Sequence, residues 1–219
     1  MRTLAILPIK SFSQAKQRLR AELSDSDRRA LVDAMFSDVL VALRRVPALE
    51  SIIVVSGDHV AQRIAEGYGA TIVEDEERGH NWAANKGIVA AVENGIERAL
   101  LVPGDCPLMD PKELEELLAH PAGERSALIV PDRHGTGTNA LLLAPPDVLA
   151  PSFGPDSRRR HLADASVAGV PAEVVEVPGL SLDVDTPEDL DALVKRLADS
   201  RGGAAHTRGM LNQLMRARS

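Results

Sequence analysis

Residues 7–19 are the first of four segments whose residue types could do chemistry. They read LPIKSFSQAKQRL and contain three cations, Lys10, Lys16 and Arg18. The segment lacks the glycines of a dinucleotide-binding fingerprint or a P-loop. Three cations on one connection suit a triphosphate, whose negative charge must be offset before an anionic group can attack it. The alternative is a solvated charged loop.

The second segment is a short turn, Pro103-Gly104-Asp105-Cys106-Pro107, which follows an apolar run. The prolines on either side restrict the backbone around the aspartate and so fix its direction. A carboxylate held in this way suits Mg²⁺, which requires a tight octahedral shell of hard oxygen ligands. The alternative is that Asp105 caps the following helix or turn.

The third segment, residues 181–187, reads SLDVDTP. If it is extended, Asp183 and Asp185 project to the same side and face one point. Two carboxylates at such a short distance repel each other unless a cation lies between them. Asp185 could also be an ordinary residue at a helix start, an explanation that does not apply to Asp183.

The fourth segment has two parts, residues 135–139 (GTGTN) and residues 152–161 (SFGPDSRRRH). Hydroxyl groups, flexible backbone and a cationic run at a predicted helix N-terminus together favour an anion receptor. For the arginine run alone, a solvated helix face is the alternative.

The elements that must position these segments follow an alternating pattern of short apolar runs and helical periodicity, which predicts βαβ units and a mostly parallel sheet. Predicted strands are residues 4–8, 51–56, 71–73, 99–102, 127–130, 140–143 and 173–177. Predicted helices are residues 24–45, 58–66 and 81–98, with two more beginning at Pro111 and Pro187. In open α/β sheets ligands bind beyond the carboxyl ends of the strands, where the four segments fall.

Composition limits the classes of function. A chain of 219 residues suits one α/β domain. The net charge of −7 argues against nonspecific nucleic-acid binding, and no apolar run approaches the roughly 20 residues of a membrane span. The single Cys106 excludes an internal disulfide and fits a reducing compartment. We therefore predict a cytosolic protein without nucleic-acid or membrane partners.

The end of the chain differs from the rest. We predict a domain over residues 1–198 and a basic tail over residues 199–219, in which no acidic residue follows Asp199. The tail arginines are Arg201, Arg208, Arg216 and Arg218. The tail is either a frayed terminus or contains a short helix near residues 210–215 that docks on a neighbour.

Taken in order, these segments resemble the nucleotidyltransferases with a glycosyltransferase-A-like fold. The similarity is closer to one branch, the 2-phospho-L-lactate/phosphoenolpyruvate guanylyltransferases of coenzyme F420 biosynthesis. It covers about residues 3–197 and rests on LPIK (7–10), AKQRL (15–19), PGDCPL (103–108), GTN (137–139), SFGPDS (152–157) and LDVDTP (182–187). Where that family usually has Gly-Leu-Asn, this chain has Gly79-His80-Asn81.

The resemblance implies a single-domain, three-layer α/β/α nucleotide-diphospho-sugar transferase fold. It implies that GTP and a phosphorylated three-carbon acid give a GMP-linked acid and pyrophosphate. Implied nucleotide contacts are Pro8, Lys10, Lys16, Arg18, Asn81 and Gly104. Implied contacts to the acid are Thr138, Gly154 and Ser157. Implied ligands of Mg²⁺ are Asp105, Asp183 and Asp185. Lys10, Lys16, Arg18 and Asp105 would then be the catalytic residues.

The attacking atom would be a phosphate oxygen that is already anionic, so no general base is required and catalysis is positioning plus charge neutralisation. The Arg/Ala-rich composition indicates a bacterial rather than an archaeal chain, and the resemblance implies phosphoenolpyruvate for the bacterial members, so this acid is favoured. 2-Phospho-L-lactate and 3-phosphoglycerate stay open. Rival hypotheses are a molybdenum-cofactor guanylyltransferase, a sugar-phosphate nucleotidyltransferase and an inactive nucleotide-binding scaffold. A homodimer and transfer of a labile product to the next enzyme are also left open.

Overall fold

A computed structural model describes residues 1–12, 15–76, 78–200 and 202–217. Its strands are β1 (Thr3–Pro8), β2 (Ser51–Val55), β3 (Thr71–Val73), β4 (Arg98–Leu101), β5 (Ser126–Pro131), β6 (Thr138–Ala144) and β7 (Ala172–Val174). Its helices are α1 (Asp25–Arg44), α2 (His59–Gly67), α3 (His80–Glu93), α4 (Pro111–Ala119), α5 (Ser157–Val167), α6 (Pro187–Asp199) and α7 (Ala205–Ala217). None of the helices in these ranges is long and apolar enough to cross a membrane.

The strands form one sheet in the order β3-β2-β1-β4-β6-β5-β7. The pairs β1–β2, β1–β4, β2–β3 and β5–β7 are parallel, whereas β6 is antiparallel to both β4 and β5. The prediction of a mostly parallel α/β sheet is therefore confirmed. Because β6 is reversed, its amino end lies at the same edge of the sheet as the carboxyl ends of the parallel strands.

Strand β1 shows why the fold has three layers. All six of its residues are buried. Alternation sends Ala5 and Leu7 into the apolar cluster that includes helix α1, and Leu4 and Ile6 into the cluster that includes helix α3. Gly87 lets α3 approach closely, because a Cβ at this position would collide with the side chain of Ile6.

Two predicted boundaries are wrong. Helix α3 ends at Glu93 rather than near residue 98, because the chain reverses at Gly95, which has a φ of 64°. The amide of Ile96 then donates to the carbonyl of Ala91, as in a Schellman turn, and Ile96 packs into the core. Strand β7 ends at Val174, and the chain continues to a single 3-10 turn, Pro178–Leu180.

The end of the chain contains helix α7, which packs against α1 of the same chain. The carboxylate of Asp38 on α1 accepts hydrogen bonds from the amides of His206 (3.0 Å) and Thr207 (2.8 Å). Asp38 therefore caps the helix from a distant element. Arg201 and Arg218 lie outside the described residues, and the division of the chain at residue 198 stays a prediction.

Candidate functional site

A cavity of about 550 Å³ lies beyond the carboxyl ends of the parallel strands. Residues from all four chemically notable segments line it. The predicted site residues on its walls are Pro8, Lys10, Lys16, Gly104, Asp105, Thr138, Gly154, Asp183 and Asp185. Three further predicted residues, Arg18, Asn81 and Ser157, are not on the walls. We call the part lined by Lys10, Lys16 and the three aspartates the charged end, and the part lined by Thr138 and Gly154 the hydroxyl end.

The loop after β1 is anchored between Lys10 and Lys16. The amide of Phe12 donates to the carboxylate of Asp58 over 2.9 Å, and the Phe12 ring meets that of Phe36 edge-on, with centroids 5.8 Å apart. Lys16 has a left-handed backbone with a φ of 54°. Ser13 and Gln14 lie outside the described residues.

Lys16 is the centre of the charged end. Its ammonium group forms salt bridges with Asp105 and, over 2.7 Å, with Asp185, while only 6% of the side chain is exposed. Burial alone would lower the pKa of Lys16, but the charges of Asp105 and Asp185 outweigh burial and raise it. The buried lysine is therefore cationic and neutralises two carboxylates that are distant in sequence.

Asp183 faces the same region, and none of the cations among the described residues forms a salt bridge with it. Its carboxylate accepts a hydrogen bond from Nδ2 of Asn139 over 3.2 Å. Burial and the charges of Asp105 and Asp185 raise the pKa of Asp183 to about 6. Across the described residues, no group of three or more His, Cys, Asp or Glu side chains has the geometry of a metal site. The three aspartates line one cavity, but Lys16 lies between two of them.

Arg18 and Lys10 act on the carboxylates of the charged end from exposed positions. Arg18 is exposed in the 3-10 turn Gln17–Leu19, and Lys10 is exposed at the end of β1. Burial would raise the pKa of Asp185, but the charge and hydrogen bond of Lys16, followed by the charges of Arg18 and Lys10, lower it. All three cations of the loop therefore influence one carboxylate.

At the hydroxyl end, Thr138 is the first residue of β6, placed there by the strand's reversed direction. Its Oγ1 lies 3.0 Å from Nδ1 of His161, and Nε2 of His161 accepts a hydrogen bond from the amide of Ser152 over 2.9 Å. Burial lowers the pKa of His161 to about 4, so the ring is neutral at pH 7. Because Nε2 accepts, Nδ1 carries the proton and donates to Thr138. The Thr138 hydroxyl is left to donate elsewhere.

The turn before α5 completes the hydroxyl end. Gly154 has a φ of 121°, which favours glycine, and its carbonyl accepts from the amide of Ser157 over 3.1 Å. Ser157 is the first residue of α5 and is buried. Arg160 donates to the carbonyls of Ser152 (2.7 Å) and Pro155 and so clamps the turn. The Arg159 side chain is 83% exposed, so the arginine run is partly structural and partly solvated.

Asn81 joins the start of α3 to the turn before α5. Its Oδ1 accepts from the amide of Phe153 over 2.7 Å, and its Nδ2 donates to the Phe153 carbonyl over 3.1 Å. The Phe153 ring lies between the rings of His80 and His161, with centroid distances of 5.2 and 5.3 Å. In this structure Asn81 holds the turn of the hydroxyl end, and its nucleotide contact stays a prediction.

A model of the family described as "Guanylyl transferase CofC like" matches residues 3–214. This chain belongs to that family. The match runs beyond the predicted limit near residue 197 and includes most of helix α7.

Named relatives of the family agree with this assignment. The chain is 52% identical to the phosphoenolpyruvate guanylyltransferase of Conexibacter woesei, over 99% of this chain and 98% of the relative. It is 33% identical to the 2-phospho-L-lactate guanylyltransferase of Methanothermobacter thermautotrophicus, over 98% and 92%. It is 32% identical to the 3-phospho-D-glycerate guanylyltransferase of Colwellia psychrerythraea, over 88% and 91%. The predicted family and enzyme class are confirmed.

A solved structure supports the fold. The putative nucleotide-diphospho-sugar transferase from Desulfovibrio desulfuricans has a TM-score of 0.77 with this chain, with 17% identity, over 99% of this chain and 98% of the other. The predicted nucleotide-diphospho-sugar transferase fold is confirmed.

Sequence reasoning missed three residues that organise the site in this family member. His161 orients Thr138, Asn139 holds Asp183, and Phe153 links the two histidines. The position of His161 could have been predicted from the sequence. It lies four residues after Ser157, a predicted site residue, and so on the same face of α5. The contacts of Asn139 and Phe153 join distant segments and leave no local pattern.

Proposed function

We propose that this chain transfers GMP from GTP to the phosphate of a three-carbon phosphorylated acid, with phosphoenolpyruvate as the favoured acid and pyrophosphate as the second product. One observation carries the proposal: a single cavity combines a cation-rich charged end with a hydroxyl end built for a small anion. The names of the relatives support the guanylyl transfer, and the relative at 52% identity supports phosphoenolpyruvate.

The charged end would bind the triphosphate. Lys10 lines the cavity and Arg18 stands at its rim, so both can offset phosphate charge. Lys16 is engaged with Asp105 and Asp185 in the structure, and it can contact a phosphate only by giving up part of that engagement. The buried aliphatic part of the Lys16 side chain and its fixed backbone keep the ammonium group where the triphosphate would bind.

The donor set of the charged end fits Mg²⁺. Asp105, Asp183 and Asp185 offer the hard carboxylate oxygens that this ion prefers. Burial, followed by the negative charges of Asp105 and Asp185, raises the pKa of Asp183, so a cation bound beside it would be stabilised. Bound there, Mg²⁺ would supply charge neutralisation at the α-phosphate and the departing pyrophosphate. Asp105 and Asp185 would hold the ion in place of their salt bridges with Lys16.

The hydroxyl end would bind the acid substrate. Thr138 has its hydroxyl proton free to donate, since His161 already donates to its oxygen. The N-terminus of α5 adds a favourable field for an anion, worth about 0.3–1 kcal/mol and more when partly buried. These groups suit the carboxylate that each of the three candidate acids carries.

The reaction needs no proton transfer by the protein. A phosphate oxygen of the acid attacks the α-phosphorus of GTP, and a new P–O bond forms. The bond from that phosphorus to the bridging oxygen breaks, and pyrophosphate leaves with the electron pair. The attacking oxygen is already anionic at neutral pH. The chain therefore acts by holding two anions close together in line.

The test is incubation of the protein with GTP, Mg²⁺ and each acid in turn, with product mass and pyrophosphate as readouts. We expect a GMP-linked acid and the highest kcat/KM with phosphoenolpyruvate. A tenfold or greater preference for 2-phospho-L-lactate or 3-phosphoglycerate would replace the substrate and keep the reaction. No product with any acid would overturn the function. The cytosolic location, the homodimer and transfer of the product to a following enzyme stay predictions.

A further inference from the structure

A second, smaller pocket of about 180 Å³ adjoins the cavity. It has room for one flat ring system but not for a whole nucleotide. It shares with the cavity the residues Pro8, Ile9, Lys10 and His80. Asp75 and Ala83 are among the residues that line it alone. The small pocket therefore continues the charged end past Lys10, and it is lined by both apolar and charged groups.

Asp75 is the unusual group in the small pocket. It follows the end of β3, is 9% exposed, and its Oδ1 is buried without a hydrogen-bond partner among the described residues. Its two acidic neighbours are exposed and partnered: Glu74 accepts from Gln62, and Glu76 accepts from Lys86. Buried carboxylate oxygens are nearly always hydrogen-bonded, because an unsatisfied one is costly. Of these three described acidic residues, Asp75 alone is turned inward, toward a pocket in which a ligand could supply the donor.

We propose that the small pocket binds the base of the nucleotide and that Asp75 recognises guanine. This inference rests on the proposed function. A carboxylate only accepts hydrogen bonds. Guanine alone among the common bases presents two adjacent donors on its pairing edge, the ring N1–H and the 2-amino group. Adenine and cytosine place an acceptor beside their amino group, and uracil places carbonyl groups on both sides of its N–H.

The position of the small pocket agrees with this assignment. Lys10 lies at the junction of the two cavities, so a triphosphate at the charged end places its nucleoside close to this junction. Asp105, Asp183 and Asp185 line only the larger cavity. The side chains of Pro8, Ile9 and Ala83 provide apolar surface for the faces of a base.

A different role for Asp75 would be to accept from the ribose hydroxyls. The substitution Asp75→Asn separates the two roles, because an amide presents one acceptor and one donor. That pair complements the N1–H and the C2 carbonyl of xanthine. We expect Asp75→Asn to lower kcat/KM for GTP by about 10- to 100-fold and to raise it for xanthosine triphosphate by a similar factor. Glu76→Gln, an equal change of charge on an exposed side chain, is the matched control and should change neither value by more than about twofold.

Equal losses with GTP and xanthosine triphosphate would overturn base recognition, since a ribose contact does not distinguish them. Inosine triphosphate lacks the 2-amino group and tests the unaltered protein. It should be used at least about tenfold less well than GTP, and equal use would also overturn the inference. If no acid is turned over, the proposed function fails independently of this inference. The role of Asp75 is then decided by calorimetry, which measures the binding of GTP and of xanthosine triphosphate to the unaltered protein and to Asp75→Asn.

Discussion

The two ends of the cavity hold their groups by different means. At the charged end, a buried lysine and three carboxylates are arranged by mutual attraction and repulsion, and the balance of charge changes when substrates arrive. At the hydroxyl end, neutral groups are fixed by hydrogen bonds: the amide of Ser152 orients His161, and His161 orients Thr138. Removal of a charge should therefore affect the chemical step, while removal of a hydrogen bond should mainly affect binding of the acid.

The largest effect is expected for Asp105→Asn. The substitution keeps the shape of the side chain and removes a charge from the proposed metal site, so turnover at saturating Mg²⁺ should fall by about 10²–10³-fold. Circular dichroism should report an intact fold. Asp183→Asn should act similarly, and the double variant should lose less than the product of the single losses. Near-normal turnover of Asp105→Asn would remove this residue from the mechanism, with exposed Asp147→Asn as the control.

The next effect concerns the cation of the charged end. Lys16→Ala removes the group that can exchange its contacts with Asp105 and Asp185 for the triphosphate. We expect kcat/KM for GTP to fall by about 10- to 100-fold and the KM for the acid to change little. Steady-state kinetics with each substrate varied in turn will show this. A larger change for the acid than for GTP would contradict the division between the two ends, and Lys195→Ala, on an exposed position of α6, should be neutral.

A smaller effect is expected at the hydroxyl end. His161→Phe keeps a ring but removes the bonds to Thr138 and Ser152, so the KM for the acid should rise by about tenfold with little change in that for GTP. Thr138→Val should have a similar effect. If His161 acts by orienting Thr138, the double variant should be little worse than either single one. Independent, multiplying effects would show that the histidine has only a structural role, and exposed His59→Phe is the control.

The smallest effect is a dependence of stability on pH. The pKa of His161 is lowered to about 4 by burial, against an ordinary value of 6.5. Between these values the unfolded chain binds the proton and the folded chain does not, so stability increases with pH. The stability that depends on a neutral His161 is fully present above pH 6.5 and is lost as the pH falls toward 4. Thermal unfolding of the wild type should show this loss, and in His161→Phe the slope in that window should be shallower.

Much of this arrangement is visible in the sequence. The apolar runs that form β1, β2 and β4 predict a parallel sheet, and the edge at which they end brings Lys10 and Asp105 together. The capping signals at Thr186 and Pro187 also predict the start of α6, because Thr186 forms a capping box and Pro187 is the first helical residue.

The rest depends on contacts between distant parts of the chain. An apolar run does not show that β6 runs antiparallel, although this direction decides that Thr138 lies in the cavity. The salt bridge from Lys16 to Asp185 spans 169 positions, and the hydrogen bonds from Asn81 to Phe153 span 72. Local periodicity contains no information about such pairs, since they depend on how the layers pack.

The Phe153 ring, packed between His80 and His161, joins the small pocket to the hydroxyl end through direct contacts. A nucleotide that restricts His80 would also restrict the turn that receives the acid, so the acid would bind with a smaller loss of conformational entropy. Such coupling is reciprocal: if bound GTP increases the affinity for the acid by some factor, bound acid increases the affinity for GTP by the same factor. The two substrates would then favour each other's binding through one aromatic ring.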